Sequence, residues 1–471
     1  MKVLRNIIVI ASLPGLLAVS LARAAESTVE FERLGTVHLY SGDGAAPGQV
    51  VLFVSGDGGW NQGVVDMARE LATGGVLVAG IDITHYLKQL AASHEKCAYP
   101  AADFEALSQF LQKSRGYSVY VKPILVGYSS GATLVYATLV QAPSTTFKGA
   151  LSLGFCPDLD LSKPMCRGSG LEFEPGPKGK GVNFLPAKTL RVPWIALQGE
   201  IDQVCDPPST QRFVAQVPGA EVVMLPKVGH GYSVPRNWLP QFRAAFARIA
   251  SAPDATDPPT ASVESLHDLP LHEVAAHAPE QAMMCVHITG DGGYGATDKG
   301  ITEELAAHGI PTVVLNSLHY FWKERTPDET AADVTRMLRY YLATWKKDSI
   351  VLVGYSRGAD AMPFVVTRLP ADLRARVKLV VLLGAAEEAQ FELTVTGWLG
   401  HGPKSYPVLP EIEKLRGLRM LCFYGTDDKD AVAPRIDPGL AKIVAVDSGH
   451  RIGSNFEGIV QTILTEAEAK P

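Results

Sequence analysis

Several things are missing from this chain of 471 residues, and each absence closes off a class of function. No group of cysteines and histidines has the spacing of a zinc site, and no metal or cofactor is expected. No long run of lysine or arginine is present, and the formal net charge is −6, so nucleic acid is not an expected partner and bulk attraction to anionic lipid is not expected either. Past the N-terminus, no apolar run approaches the roughly 20 residues needed to span a bilayer. Cysteine is scarce, at six residues. Cys97, Cys156, Cys166 and Cys205 lie in loop-like stretches, where disulfides are plausible and three pairings are open. Cys285 and Cys422 sit inside apolar, strand-like runs and read as buried free thiols.

What is present begins with a leader. Lys2 and Arg5 precede an apolar run, Ile7 to Leu21, broken by Pro14 and Gly15, and Ala22-Arg23-Ala24 offers a small-residue cleavage site. This is the pattern of a secretory signal peptide over residues 1–25, and it predicts an exported, periplasmic protein. The whole chain is 46% apolar and 20% charged, as a folded chain of two or more domains would be.

The chain repeats itself. Ser55-Gly56-Asp57-Gly58-Gly59-Trp60 returns as Thr289-Gly290-Asp291-Gly292-Gly293-Tyr294. Ile124-Leu125-Val126-Gly127-Tyr128-Ser129-Ser130-Gly131-Ala132 returns as Val351-Leu352-Val353-Gly354-Tyr355-Ser356-Arg357-Gly358-Ala359, and His85-Tyr86 returns as His319-Tyr320. The shared order and similar spacing argue for duplication. Residues 251–265, rich in Pro, Ser, Thr, Ala and Asp, read as a linker between domains at 27–250 and 266–471. In each half, continuous apolar runs such as Val50–Val54, Ile124–Val126, Met284–Ile288 and Ile350–Val353 alternate with helix-compatible stretches. This predicts an α/β fold: in each half a doubly wound, mainly parallel sheet.

Gly127-Tyr128-Ser129-Ser130-Gly131 and Gly354-Tyr355-Ser356-Arg357-Gly358 both fit G-x-S-x-G after a strand and before a helix. That is the setting of a nucleophile elbow, and it predicts two tandem α/β-hydrolase-type domains. Such a fold places an acid after a later strand and a histidine after the last one. Asp202 and His230 answer in the first half. In the second half, His450 answers, and Asp428 is preferred to Asp427 because it stands at the same offset from Gly425 as Asp202 does from Gly199. The expected triads are therefore Ser356, Asp428, His450 and Ser129, Asp202, His230. The oxyanion holes are expected from backbone N–H groups at Ser130 and Asp57 in one half, and at Arg357 and Asp291 in the other. The Gly-Asp-Gly-Gly loops lack a P-loop lysine and the spacing of a dinucleotide fingerprint. Tyr320, Phe321 and Trp322 suit an acyl site but more often form core, and His85 and His319 read as packing or loop residues. Glu387, Glu388 and Glu392 suit recognition of a cation but more often form a solvated face.

These motifs, with Ser317 to Trp322, Thr326 to Asp333 and Thr394 to Gly400, resemble the AcvB/VirJ family of bacterial virulence proteins. The match is closer in the second half; the first looks like a divergent copy. Tyr294 stands where tryptophan is expected. The resemblance implies hydrolysis of the aminoacyl ester of aminoacyl-phosphatidylglycerol, notably the lysyl form, at the periplasmic membrane face, with Ser356 as nucleophile. It also implies a link to type IV secretion components and virulence. Two other readings stay open: an esterase or thioesterase of other substrates, and a secretion accessory that uses the fold only as a binding platform.

Overall fold

The computed structural model describes residues 25–42, 48–73, 75–93, 97–176, 179–254, 266–393, 404–450, 452–453 and 455–469. All of the expected leader but Ala25 and most of the expected linker lie outside them, as does the Thr394 to Gly400 motif.

The strand Gln49–Val54 shows why these sequences make sheets covered on both faces. Its residues are almost entirely buried. Val50, Leu52 and Val54 feed one core, while Val51 and Phe53 feed another. Strand Ser349–Tyr355 does the same in the second half, with Ile350 and Leu352 on one side and Val351 and Val353 on the other. Alternate side chains of a strand point to opposite faces, so a continuous apolar run must be packed above and below.

The first sheet has eight strands, in the order Ala25–Phe31, Gly35–Ser41, Val76–Ile81, Gln49–Val54, Ile124–Tyr128, Gly149–Leu153, Trp194–Gly199 and Glu221–Leu225. The first two form an antiparallel hairpin, and Gly35–Ser41 runs antiparallel to Val76–Ile81; the other pairs are parallel. The second sheet has seven, in the order Leu271–Val274, Thr312–Leu315, Met283–Ile288, Ser349–Tyr355, Val377–Leu383, Met420–Gly425 and Lys442–Val446. All its pairs are parallel except the first, Leu271–Val274 with Thr312–Leu315. In each sheet the elbow strand lies between the Gly-rich-loop strand and the next parallel strand, which is the α/β-hydrolase arrangement twice over.

The repeat extends to details of packing. Tyr86 donates to Asp103 at 2.6 Å, and Tyr320 donates to Asp333 at 2.7 Å, each tying the short helix after the second parallel strand to the long helix that follows. Trp60 stacks on His38 of strand Gly35–Ser41, and Tyr294 stacks on His272 of strand Leu271–Val274, so the smaller ring keeps the same partner type.

The two halves share packing. Leu318, Trp322 and Leu393 belong to the same buried cluster as the first half's core. Lys113 lies 5.4 Å from the Trp322 ring centre, donates to its carbonyl and pairs with Glu392 at 2.9 Å. Disulfides join Cys97 to Cys166 and Cys156 to Cys205. Cys285 and Cys422 are free, and burial pushes each thiol up to about 12. No helix among the described residues is long and apolar enough to cross a membrane.

Candidate functional site

Each elbow is set by what precedes and follows the serine. Ser129 has φ 55° and Ser356 φ 51°, a conformation that costs a non-glycine residue energy unless the surroundings impose it. They do. The Ser129 N–H donates to the Leu153 carbonyl at 2.9 Å, and the Ser356 N–H to that of Leu383 at 2.8 Å. A Cβ on Gly354 would strike the Gly358 backbone, and one on Gly358 would strike Ile288, so the strand-to-helix turn closes only with glycine at both places.

The chain then brings the remaining groups to these serines. In the second half, Ser356 Oγ is 2.8 Å from His450 Nε2, and His450 Nδ1 is 2.8 Å from Asp428 Oδ2. Asp428, not Asp427, is the carboxylate at the imidazole; the Asp427 N–H donates to the Ser448 carbonyl. In the first half, Ser129 Oγ is 2.9 Å from His230 Nε2, and His230 Nδ1 is 2.9 Å from Asp202 Oδ2. Asp202 is the more enclosed acid. Its other oxygen accepts from the N–H groups of Val204 and Cys205, and Gln198 donates to Oδ2.

The Gly-rich loops lie directly against the serines. A Cβ on Gly56 would sit 2.9 Å from that of Ser129, and one on Gly290 would sit 3.3 Å from that of Ser356. Ser130 and Arg357 each open a helix, Ser130–Gln141 and Arg357–Arg368, whose first N–H groups have no acceptor within the helix. The side-chain links that join these parts have no signature in the sequence. Ser130 donates to Asp57, and Arg357 donates to Asp291. Arg357 is buried and also donates to the carbonyls of Gln390 and Glu392, at 2.8 and 3.0 Å.

The other residues singled out in the sequence lie away from the triads. Tyr320, Phe321 and Trp322 are buried packing residues, and Trp322 anchors one half to the other. The three glutamates are engaged away from the serine: Glu387 with Arg435, Glu388 with Ser405 and Glu392 with Lys113. His85 packs on Gly35, and burial pushes His319 down to about 4. Two features went unread in the sequence. His287, in strand Met283–Ile288, pairs with Asp298 at 2.8 Å beneath the second Gly-rich loop, both side chains being buried. A cavity of about 310 Å³ opens beside Ser356 and His450, with one wall made by the first half.

Asp202, Cys205 and His230 lie within 4.8 Å of one another, a grouping that on distance alone suits a metal. The Cys205 sulfur is committed to its disulfide, and the carboxylate and imidazole to each other, so the donor set is that of a triad.

Two such constellations on two such sheets define a tandem α/β-hydrolase-fold protein. Among solved structures, the chain is similar to Est1E from Butyrivibrio proteoclasticus (11% identity, TM-score 0.32, 48% of this chain and 98% of that one). It is also similar to a putative dienelactone hydrolase from Klebsiella pneumoniae subsp. pneumoniae (17%, TM-score 0.35, 49% and 98%). A third similarity is to the esterase domain of a Rhodothermus marinus protein (20%, TM-score 0.32, 48% and 98%). No curated protein matches it in sequence. The chain belongs to the VirJ family of bacterial virulence proteins, whose pattern matches residues 48–153 and 282–470.

Proposed function

We propose that the protein is a periplasmic serine esterase that cleaves the aminoacyl ester of aminoacyl-phosphatidylglycerol, with Ser356, His450 and Asp428 as its working triad. The observation that carries this reading is the unbroken Ser356–His450–Asp428 chain of contacts at the mouth of a cavity. Membership of the VirJ family supports the second half as the working unit, and the two disulfides suit an oxidising compartment.

The chemistry follows from the contacts. His450 Nε2 takes the proton of Ser356 as Oγ forms a bond to the ester carbonyl carbon. Asp428 holds the imidazole in its reactive tautomer and stabilises the cation. The negative oxygen is received by N–H groups at Arg357 and the Asp291 loop. The carbon–oxygen bond to the glycerol side breaks, and His450 returns the proton to the departing alcohol. Water, deprotonated by His450, then releases the amino acid from Ser356.

The test is release of free lysine from lysyl-phosphatidylglycerol by the purified protein. Ser356→Ala is expected to lower the rate by about 10⁴-fold or more, while Ser129→Ala leaves most of it. Full activity in Ser356→Ala would overturn the assignment. An inert wild type whose Ser356 still reacts with a fluorophosphonate would reject the lipid and keep the nucleophile.

A further inference from the structure

The two halves diverge beneath their Gly-rich loops. Strands Gln49–Val54 and Met283–Ile288 are equivalent in the two sheets. Phe53 stands opposite Val126 and His287 opposite Val353, and each valine comes shortly before its elbow serine. Carried on through the repeat, Val64 of helix Gln62–Ala72 corresponds to Asp298 of helix Ala296–Ala307. In the first half this place is apolar, and Phe53 and Val64 share one buried cluster. In the second it holds the buried His287–Asp298 pair, in contact at 2.8 Å.

Stability gives no reason for the exchange. Buried polar groups cost free energy unless each is satisfied, and an apolar set of similar volume is often as stable or more so. His287 Nδ1 has no hydrogen-bond partner among the described residues. Nε2 carries the ring proton, because a carboxylate can only accept. The pair's contacts lead to the loop instead. Asp298 Oδ2 accepts from the Gly295 N–H at 3.2 Å. That N–H also donates to the Gly293 carbonyl at 2.8 Å, and the Gly293 N–H donates to the Gly290 carbonyl at 3.0 Å. The links thus run from Asp298 to the glycine that packs against Ser356.

The first-half loop is tied differently. Asn61 occupies the place of Gly295, and its side chain donates to the Gly58 carbonyl at 3.4 Å and accepts from the Gly63 N–H at 3.0 Å. Asp82 accepts from the Trp60 N–H at 3.1 Å. In the second half Gly295 replaces Asn61 and Asn316 replaces Asp82, and a tie comes from the strand below.

We propose that Asp298, held by His287, is the positioning residue of the second oxyanion loop. It fixes Gly295 and, through the loop, the Asp291 N–H at Ser356. This rests on Ser356 being the nucleophile, and it adds to that site a pair that acts through the loop rather than on the substrate.

The experiment uses the full chain carrying Ser129→Ala as parent, so that hydrolysis of p-nitrophenyl acetate reports on Ser356 alone. Asp298→Ala is expected to lower kcat about 10²-fold, the effect of a misplaced oxyanion donor, with KM within about 2-fold. Asp298→Asn still offers an oxygen to Gly295 and an N–H to the other tautomer of His287, and is expected to keep most of the rate. The double variant His287→Phe, Asp298→Val gives the second half the residues of the first. Its urea midpoint is expected to be no lower than the parent's, while kcat falls as in Asp298→Ala. In a chain that keeps both serines, Asp298→Ala should slow fluorophosphonate labelling at Ser356 and not at Ser129. An unchanged kcat in Asp298→Ala, a change confined to KM, equal slowing at both serines, or a double variant whose rate and stability fall together would overturn the proposal. A parent that turns over no ester would instead overturn Ser356 as the nucleophile, a result that involves neither His287 nor Asp298.

Discussion

The indole N–H of Trp322, from the second half of the chain, donates to the backbone carbonyl of Tyr117, from the first, at 2.8 Å. The ring is buried, tilted against Tyr120 with centres 5.3 Å apart, and lies under Lys113. A residue that reads as ordinary core thus fastens two repeats together.

Trp322→Ala is expected to cost about 3–5 kcal/mol, the range for emptying a buried aromatic site. Urea denaturation followed by fluorescence measures it. Because the cavity at Ser356 has a wall from each half, ester turnover should fall more than the labelling of Ser356 by a small fluorophosphonate. An unchanged midpoint would show that the halves are held by other contacts.

Arg357 bridges Asp291 to the carbonyls of Gln390 and Glu392, and in the proposed mechanism its own N–H receives the oxyanion. Arg357→Ala keeps that N–H and removes the brace. The expected result is a fall in kcat of roughly 10²-fold with little change in KM, as when an oxyanion donor is misplaced. A change confined to KM would assign Arg357 to substrate binding.

The Cys156–Cys205 disulfide pins the loop from which Val204 and Cys205 donate to Asp202. Replacing both cysteines by serine is expected to cost about 2–4 kcal/mol. It should slow fluorophosphonate labelling of Ser129 and leave that of Ser356 unchanged, as read by peptide mapping of the labelled serines. Equal slowing at both would mean that the loop does not act locally.

Asp360 follows the second elbow by four residues and accepts from the Ala386 N–H at 2.7 Å. Part of the residue reaches solvent, but its carboxyl is enclosed. Burial, with Asp291 and Asp428 nearby, pushes it up to about 8 against the pull of the Ala386 N–H and Arg357. A carboxyl that holds its proton more tightly when folded contributes stability below its unfolded pKa, and that contribution is lost as pH rises through about 8. Each tenfold in proton affinity is worth about 1.4 kcal/mol. Asp360→Asn should therefore gain on wild type between pH 5 and 9 in urea midpoints. A difference independent of pH would show Asp360 ionised throughout.

Much of this was legible in the sequence because parallel strands buried on both faces must be written as unbroken apolar runs. Gln49–Val54 and Ser349–Tyr355 stand out for that reason, and the triads follow from their order along such a sheet. The antiparallel strands obey another rule. Gly35–Ser41 and Leu271–Val274 carry polar residues among apolar ones, so the unbroken apolar run that marks the parallel strands is missing from them. Lys113 and Trp322 were beyond reach for a different reason. Their partners are set by how the repeats dock, and periodicity within one repeat carries no record of the other.

The wall that helix Pro100–Ser114 of the first half lends to the Ser356 cavity gives the duplication an unequal future. Substitutions that disable Ser129 would leave helix Pro100–Ser114 in place, and selection on that helix would persist for as long as its neighbour turns over substrate. A second copy can thus outlive its own chemistry by becoming part of its sibling's.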